Sequence, residues 1–287
     1  MSKKKKSRKS PTLSNRAAMA MATSNRTPMK QRITAMAEAP LAVCESDDNL
    51  QAVIGVLRNR DEPVEVRLAA IDTLATAAFS VIAFESCRSD YIAALREVSD
   101  DPNPQIRESA LGLLAGEKDG MAQKKLLDGL KNPDKALVPP EKALQLLGYD
   151  VHAEAYSVAR DIVSHPPSAV AKQEALRLLA ADSASAPLFE KVLRDKDELR
   201  ENRQIAAAAL NSLNPTKFQA HARDMLLDKT EYEDIQATSL TALDEFGDDQ
   251  AVGKDTALMK SVDRLSNKAL SAKYKKSARQ FLDKHGR

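Results

Sequence analysis

The side chains that most often bind metals or act as nucleophiles are few and dispersed in this sequence. No two histidines are four residues apart, so no helical face presents a pair of imidazoles to a metal. The histidines are His152, His165, His221 and His285. The two cysteines, Cys44 and Cys87, form neither a metal-binding nor a redox spacing. The sequence therefore predicts no metal, no cofactor, surface or turn histidines, and two free thiols in a reducing compartment.

Other patterns of catalytic sites are also missing. The 287-residue chain contains no Gly-rich phosphate loop, no nucleophile elbow and no tryptophan. Its low content of glycine and aromatic residues, with many Ala and Leu, indicates helices that pack through small residues rather than sheets. These features predict an all-α protein that is not an enzyme.

A residue triplet at helical spacing recurs along the chain. A mostly apolar residue is followed four residues later by a small residue and eight residues later by a leucine, which forms one helical stripe. The copies are Val66/Ala70/Leu74, Ile106/Ala110/Leu114, Pro139/Ala143/Leu147, Ala171/Ala175/Leu179, Ile205/Ala209/Leu213, Ile235/Ser239/Leu243 and Tyr274/Ala278/Leu282. A second amphipathic segment precedes each copy, and turns such as "DDPNPQ" separate the two. The sequence therefore predicts a right-handed α-α superhelix of about seven helical hairpins.

The turns of the first two copies resemble those of HEAT repeats. Asp61 lies six residues before Arg67 in "DEPVEVR", and Asp101 lies six residues before Arg107 in "DPNPQIR". In the HEAT family the acid and the base bond across stacked repeats, so the resemblance implies that these residues hold successive turns in line. Copy three keeps Asp134 but has a proline in place of the arginine. From copy three to copy six, the residues at the arginine position are Pro140, Lys172, Ala206 and Gln236.

The resemblance to HEAT repeats brings three classes of enzyme into consideration. HEAT-like DNA glycosylases hold a damaged base with tryptophans, which this chain lacks. Deoxyhypusine hydroxylase uses repeated His-Glu pairs, and none of the four histidines precedes a glutamate. Phycobilin lyases carry short HEAT-like repeats, but nothing in this sequence indicates a tetrapyrrole site. A lyase-type enzyme is the enzymatic alternative that stays open.

The charge is distributed unevenly along the chain. Residues 1–37 contain ten basic residues and no acid, residues 250–287 have a net charge of +7, and residues 38–249 have a net charge of −15. This pattern predicts a disordered basic tail over residues 1–29 and a HEAT-like solenoid over residues 30–287. Within the solenoid we expect an N-terminal cap at 30–47 and a basic C-terminal hairpin at 250–287. No apolar run is long enough to cross a bilayer and no secretory signal is seen, which predicts a cytoplasmic protein, or a nuclear one in a eukaryote.

Stacked hairpins present an extended surface on their second helices, and such surfaces bind other proteins. The sequence therefore predicts a non-catalytic scaffold or adaptor that binds a protein or peptide, and the acidic middle of the chain favours a basic partner. The residues predicted to contact this partner are Arg67, Arg107, Glu108, Lys172 and Arg177.

The alternative is a nucleic-acid-associated protein that binds through its basic N-terminal tail and basic C-terminal repeat. An electrostatic tail of this kind contacts phosphates without reading sequence. The tail residues in this hypothesis are Lys3, Lys4, Lys5, Lys6, Arg8 and Lys9.

One apolar segment interrupts the repeat pattern between the first two copies. Residues 77–87, "AAFSVIAFESC", add Phe79, Val81, Ile82 and Phe84. We expect this segment to lengthen the second helix into the core. The alternative is a protruding apolar patch that docks a partner.

Overall fold

The computed structural model describes residues 14–150 and 153–286, and every regular element within them is a helix. The chain divides into two compact units, Met1–Asp150 (unit 1) and Val151–Arg287 (unit 2). The α-helices of unit 1 are α1 Asn15–Thr23, α2 Met29–Glu38, α3 Asp47–Arg58, α4 Val64–Ala78, α5 Val81–Phe84, α6 Arg88–Val98, α7 Pro104–Gly116, α8 Gly120–Lys131 and α9 Pro140–Leu147. Those of unit 2 are α10 Ala153–Ser164, α11 Ala169–Leu179, α12 Ala186–Arg194, α13 Arg200–Leu213, α14 Pro215–Leu227, α15 Glu233–Phe246, α16 Asp249–Lys254, α17 Thr256–Lys268 and α18 Ala272–His285. Short 3-10 helices occur at Pro40–Glu45, Glu85–Cys87, Pro133–Lys135 and Ser183–Ser185.

Capping side chains and prolines determine where the helices begin. The side-chain oxygen of Asn103 accepts hydrogen bonds from the backbone N–H groups of Gln105 and Ile106, at 3.0 and 3.2 Å. Pro104 occupies the first turn of α7, where its missing N–H leaves no helical hydrogen bond unmade. Serine side chains cap α1, α3, α11 and α18 in the same way. The polar, proline-containing segments of the sequence are therefore the turns of the hairpins.

Consecutive helices pair into hairpins in both units. In unit 1 the pairs are α1/α2, α3/α4, α6/α7 and α8/α9, and in unit 2 they are α10/α11, α12/α13, α14/α15 and α17/α18. Within each unit the second helices of neighbouring hairpins contact one another. The predicted stripe lies in these contacts, since Val66, Ala70 and Leu74 are fully buried. The prediction of an all-α, HEAT-like solenoid is confirmed, with eight hairpins in the described residues rather than about seven.

The additional hairpin lies where the sequence predicted the basic tail and the cap. Helix α1 begins after the capping residue Ser14, and Ala18, Met19 and Ala22 on one of its faces are buried. The predicted tail over residues 1–29 therefore differs from the structure from residue 14 onward, because small apolar residues give this basic segment a face that packs on α2. The predicted cap at 30–47 contains most of α2 and the 3-10 helix Pro40–Glu45. The tail residues from Lys3 to Lys9 lie outside the described residues.

A buried ion pair links the second and third hairpins. Arg67, in the first turn of α4, bonds to Asp101 in the turn before α7, with 2.5 Å between Nη2 and Oδ2, and both side chains are at most 3% exposed. Arg67 Nε also donates to the carbonyl of Leu57 at the end of α3. The guanidinium therefore closes its own hairpin and binds the next one, as the HEAT resemblance implied.

The same arrangement recurs with residues that the sequence pattern did not indicate. Arg32 in α2 donates to the carbonyl of Ala22 and forms a two-point ion pair with Glu62, whereas the neighbouring Asp61 is exposed. In unit 2, Lys172 pairs with Glu198. Both aspartate and glutamate therefore serve as the acidic partner in this interaction.

The sequence pattern placed the fifth copy of the triplet three residues too far toward the C-terminus. Arg203, rather than Ala206, occupies the arginine position: its Nε donates to the carbonyl of Leu193, and its terminal nitrogens bind Glu231 at 2.8 and 2.6 Å. The fully buried Asn202 precedes Arg203 on the stripe, in the place of an aliphatic residue. A polar residue at this position hid the true register from a pattern based on apolar spacing.

The segment 77–87 does not extend the second helix. Helix α4 ends at Ala78, and the chain turns so that Phe79 and Ile82 are 86% and 96% exposed. Among Phe79, Val81, Ile82 and Phe84, Phe84 alone lies in the core, where it makes an edge-on ring contact with Tyr91. The expectation of a longer helix was therefore wrong. Among the described residues no single helix has the length and apolar composition to cross a membrane, although the pair Val64–Ala78 and Val81–Val98, bent by 116°, satisfies both criteria together.

We expect Asp101→Asn to lower the free energy of unfolding by about 3 to 5 kcal/mol, because it leaves the Arg67 guanidinium buried without a counter-charge. Burial alone would raise the pKa of Asp101, but hydrogen bonds from Arg67 and from the Asn103 N–H outweigh it and lower the pKa. The stabilisation is therefore complete above the unfolded pKa near 3.8 and is lost as the pH falls through the lower folded value. Urea unfolding at pH 7 measures the effect.

The matched control is Glu97→Gln, which breaks the exposed pair between Arg58 and Glu97 in the same unit. An exposed pair of this kind contributes at most about 1 kcal/mol. Equal losses for the two variants would contradict the structural role assigned to Asp101.

Candidate functional site

A groove in the described part of unit 1 lies on the face formed by α4, α7 and α9, the second helices of three consecutive hairpins. It encloses about 590 Å³. Its lining combines apolar side chains with a small set of polar and charged ones: Leu68, Ile71, Asp72, Gln105, Glu108, Ser109, Gly112, Leu113, Lys142, Leu146 and Tyr149. This mixture is typical of ligand sites, which pair an apolar surface with a few polar groups that fix orientation.

A glycine in the middle of α7 gives the groove room. A Cβ atom placed on Gly112 would meet only the Cδ2 atom of Leu146 within 4.0 Å, so the backbone itself does not require glycine here. Glycine in a helix interior costs roughly 1 kcal/mol relative to alanine. The residue is therefore unfavourable for the helix, and what it provides is space between α7 and α9.

The charged groups of the groove differ in how they are paired. Glu108 on α7 and Lys142 on α9 form an ion pair at 2.9 Å and neutralise each other. Asp72 on α4 has no hydrogen bond or ion pair with any described residue, and partial burial raises the pKa of its carboxyl. Tyr149, at the end of α9, is 62% exposed, so its ring is accessible from solvent. The groove therefore contains one unneutralised carboxylate beside apolar surface.

Only one of the five residues predicted to contact a partner lines this groove. That residue is Glu108. Arg67 is 3% exposed and bonded to Asp101, so its assignment to a partner-binding surface was wrong. The position directly after the first stripe residue points to the turn of the next hairpin, not to solvent.

The other predicted contact residues bind neighbouring parts of the chain. Arg107 is half-buried and donates to the backbone carbonyls of Leu137 and Asp101. Lys172 and Arg177, both in unit 2, pair with Glu198 and Glu174. Arg177 is the more exposed of the two.

The sequence analysis did not select Asp72. The absence of a partner for its carboxyl depends on α7 and α9 and is not visible in the spacing of α4 itself. Ser109, Leu146 and Tyr149 were not selected either. Tyr149 lies two residues beyond the end of α9, so no helical periodicity identifies it.

The histidines and cysteines are placed differently from the sequence interpretation. His221 and His285 are 6% and 4% exposed, so the surface or turn assignment was wrong for both. Burial, together with the neighbouring Arg194, lowers the pKa of His221. Cys44 is a neighbour of Cys87, and burial together with the Cys87 thiol raises the pKa of Cys44 to about 12. Among the described residues, no group of three or more His, Cys, Asp or Glu side chains is arranged to hold a metal ion.

Several solved structures resemble this chain, and two of them are described below, whereas no protein-family model and no curated protein matches it. One is the complex of CpcE and CpcF of phycocyanin lyase from Nostoc sp. PCC7120, with 19% identity and a TM-score of 0.45 over 92% of this chain and 99% of that chain. The other is human deoxyhypusine hydroxylase in complex with glycerol, with 16% identity and a TM-score of 0.36 over 86% of this chain and 99% of that chain. Both are HEAT-like helical solenoids, so the likeness is one of fold.

The predictions of a non-catalytic scaffold and of a chain that is not an enzyme are contradicted. They rested on missing sequence motifs, and both solved structures belong to enzymes, a lyase and a hydroxylase. At 19% and 16% sequence identity, the similarity does not assign either reaction to this chain.

We expect Asp72→Asn to raise the free energy of unfolding at pH 7. The raised pKa of Asp72 means that the folded chain holds this proton more tightly than the unfolded chain, so the ionised carboxylate opposes folding. The ionised carboxylate destabilises the fold fully at pH values above the folded pKa. This destabilisation disappears as the pH falls toward the unfolded pKa of 3.8. Urea unfolding of both proteins between pH 4 and pH 8 measures a gain that shrinks with acidification.

The matched control is Asp128→Asn on α8, an exposed acid of unit 1 that does not line the groove. We expect it to change the free energy of unfolding by less than about 0.5 kcal/mol across this range. A stabilising Asp72→Asn would identify a carboxylate retained at a cost to the fold, as is common at functional sites. A destabilising one would show that Asp72 has a structural partner.

Proposed function

We propose that the groove of unit 1 is a substrate site for an amphipathic, lysine-containing segment of another protein, and that the Asp72 carboxylate pairs with the bound ammonium. The single observation that carries this proposal is the solvent-exposed Asp72 carboxyl, which has no ion-pair partner among the described residues and lies beside the apolar side chains of the groove.

The polarity of the groove supports a ligand that is cationic and apolar at once. Leu68, Leu113 and Leu146 offer surface for the aliphatic part of such a ligand, while its ammonium group neutralises Asp72. The charge of Lys142 is already met by Glu108, so it repels an incoming cation only weakly. The exposed ring of Tyr149 adds a face on which an ammonium group is attracted by the π electrons.

The raised pKa of Asp72 couples ligand binding to the release of a proton. Desolvation makes this carboxyl hold its proton to a higher pH than the free side chain does. A bound ammonium favours the ionised carboxylate, so binding releases a proton wherever Asp72 was protonated beforehand.

The charge of the groove also distinguishes this partner from a nucleic acid. Its ionised side chains are Asp72, Glu108 and Lys142, a net charge of −1 at neutral pH. Phosphate contact requires a positive potential, which this set of residues does not provide.

The test uses a fluorescein-labelled ten-residue peptide of alternating leucine and lysine and measures its fluorescence anisotropy with the full-length protein. We expect saturable binding, and a loss of about tenfold in affinity for Asp72→Asn, which corresponds to roughly 1.4 kcal/mol. Gly112→Leu fills the groove and should abolish binding, whereas Asp128→Asn should bind like the parent chain. Equal affinities for the parent chain and Asp72→Asn would refute the site.

Isothermal titration in buffers of different ionisation enthalpy tests the proton release separately. We expect peptide binding near the pKa of Asp72 to release protons, and this release to vanish in Asp72→Asn. Binding without proton release in the parent chain would keep the groove as a peptide site but remove the contact between the ammonium and Asp72.

A further inference from the structure

The two cysteines, which are more than forty residues apart in the sequence, meet in unit 1. Cys44 lies in the 3-10 helix Pro40–Glu45, and Cys87 is the last residue of the 3-10 helix Glu85–Cys87. The side chains of Cys44 and Cys87 are hydrogen-bonded to each other, so the two sulfur atoms are neighbours. The spacing of the cysteines along the chain did not indicate this contact.

Each cysteine is held in place by its own part of the fold. The 3-10 helix of Cys44 packs on α3 and α4, and the adjacent Val43 is fully buried. The 3-10 helix of Cys87 continues directly into α6, and Phe84 just before it is buried in contact with the ring of Tyr91. The contact between the two thiols is therefore set by packed elements and not by a chance approach of two loops.

The pair does not belong to a larger set of metal ligands. Within residues 14–150 and 153–286, no group of three or more His, Cys, Asp or Glu side chains is arranged to hold a metal ion. Cys44 is partly exposed and Cys87 is 4% exposed, so an oxidant from solvent meets Cys44 first and finds Cys87 beside it. A disulfide forms only where the fold brings two cysteines this close.

We propose that Cys44 and Cys87 form a disulfide when the protein meets a low-molecular-weight disulfide such as oxidised glutathione, and that this bond fastens the apolar segment 79–87 to the 3-10 helix Pro40–Glu45. The proposal is independent of the groove in unit 1, because neither cysteine lines it.

The reaction is an exchange between thiols and a disulfide. The sulfur of Cys44 loses its proton and attacks one sulfur of the oxidant, which breaks the S–S bond of the oxidant and releases one glutathione thiolate that takes up the proton. The sulfur of Cys87 then loses its proton, attacks the sulfur of Cys44 and releases the second glutathione in the same way. The two cysteines give up two electrons and the oxidant accepts them, so two thiols and one disulfide become one disulfide and two thiols.

The surroundings of Cys44 make this bond slow to form and slow to break. Burial and the Cys87 thiol raise the pKa of Cys44 to about 12, so little of this side chain is a thiolate at neutral pH. A thiol with a high pKa is also a poor leaving group, so a reducing agent cleaves the bond slowly once it has formed. We therefore expect a persistent crosslink rather than a rapidly reversed one.

The crosslink holds one end of the exposed apolar segment. Phe79 and Ile82 protrude from residues 79–87, and Cys87 is the residue at which the segment joins α6. Local opening of the segment moves Cys87 away from Cys44, and the disulfide prevents that movement. The oxidised protein therefore carries these apolar side chains on a fixed base, and a protease that needs an open chain cleaves there more slowly.

The first test incubates the full-length protein overnight with oxidised glutathione at pH 8 and measures its intact mass after denaturation and alkylation with iodoacetamide. We expect a mass about 2 Da below that of the reduced chain, with no glutathione attached and no thiol left to alkylate. Oxidation should also raise the unfolding temperature by at least about 5 °C, because the bond restricts the unfolded chain. A parent chain that keeps one bound glutathione, links to a second chain or leaves both thiols open to alkylation would overturn the proposal.

Digestion by chymotrypsin tests the fastening of the segment. We expect cleavage after Phe79, followed by mass spectrometry of the fragments, to be about tenfold slower in the oxidised protein than in the reduced one. Equal rates, with the disulfide formed, would show that the bond does not restrain the segment.

The matched control is Cys44→Ser, which keeps a polar side chain of similar size. The same treatment should leave its unfolding temperature and its rate of cleavage after Phe79 unchanged. Cys87→Ser is the reciprocal variant, and it should gain one glutathione on Cys44, because the thiol that the oxidant reaches first has lost its partner. A rise in unfolding temperature in Cys44→Ser equal to that of the parent chain would rule out the pair as its cause.

Discussion

The buried arginine–acid pair is the interaction on which the arrangement of the hairpins depends. Arg67 binds the carbonyl of Leu57 in its own hairpin and the carboxylate of Asp101 in the next, so one side chain fixes both the turn and the stacking. Arg203 repeats this geometry with Leu193 and Glu231. A buried charge is tolerated only when it is paired and hydrogen-bonded, so each of these arginines specifies one position for its neighbour.

The groove of unit 1 follows from this constraint. The residue directly after the first stripe position, Arg67 in α4 and Arg107 in α7, is directed into the turns. The residues that face solvent on these helices therefore lie one position and five positions after that arginine. In unit 1 these include Glu108 and Asp72, and both line its groove. The stacking interaction and the binding surface therefore use adjacent positions of the same helices. Arg107, directly after the first stripe position, serves the fold, and Glu108, the acid that follows it in the sequence, lines the groove.

The repeat was readable from the sequence because a small residue and a leucine at fixed spacing are required wherever second helices pack closely. Val66, Ala70 and Leu74 follow this spacing and are all fully buried. The pattern failed where a polar residue took an apolar place, as at Asn202, and where a longer acid replaced the expected aspartate, as at Glu62. The sites were harder to foresee, since the unpaired state of Asp72 and the contact between Cys44 and Cys87 are properties of their surroundings. The spacing of residues along one helix does not show whether a side chain has a bonding partner on a neighbouring helix.

The series of arginine–acid pairs changes its chemistry at Arg107. Its guanidinium donates to three backbone carbonyls, those of Leu137, Asp101 and Pro102, instead of a carboxylate, while Asp134 remains exposed. The hairpin α8/α9 is thus attached to its predecessor without a counter-charge at this position. Three ion pairs away from this position attach the hairpin to its predecessor instead: Arg96 with Asp119, Lys125 with Asp100, and Lys142 with Glu108. Each of them is more exposed than the pair of Arg67 and Asp101, so dissolved salt screens the attachment of α8/α9 more strongly than that of the hairpin before it.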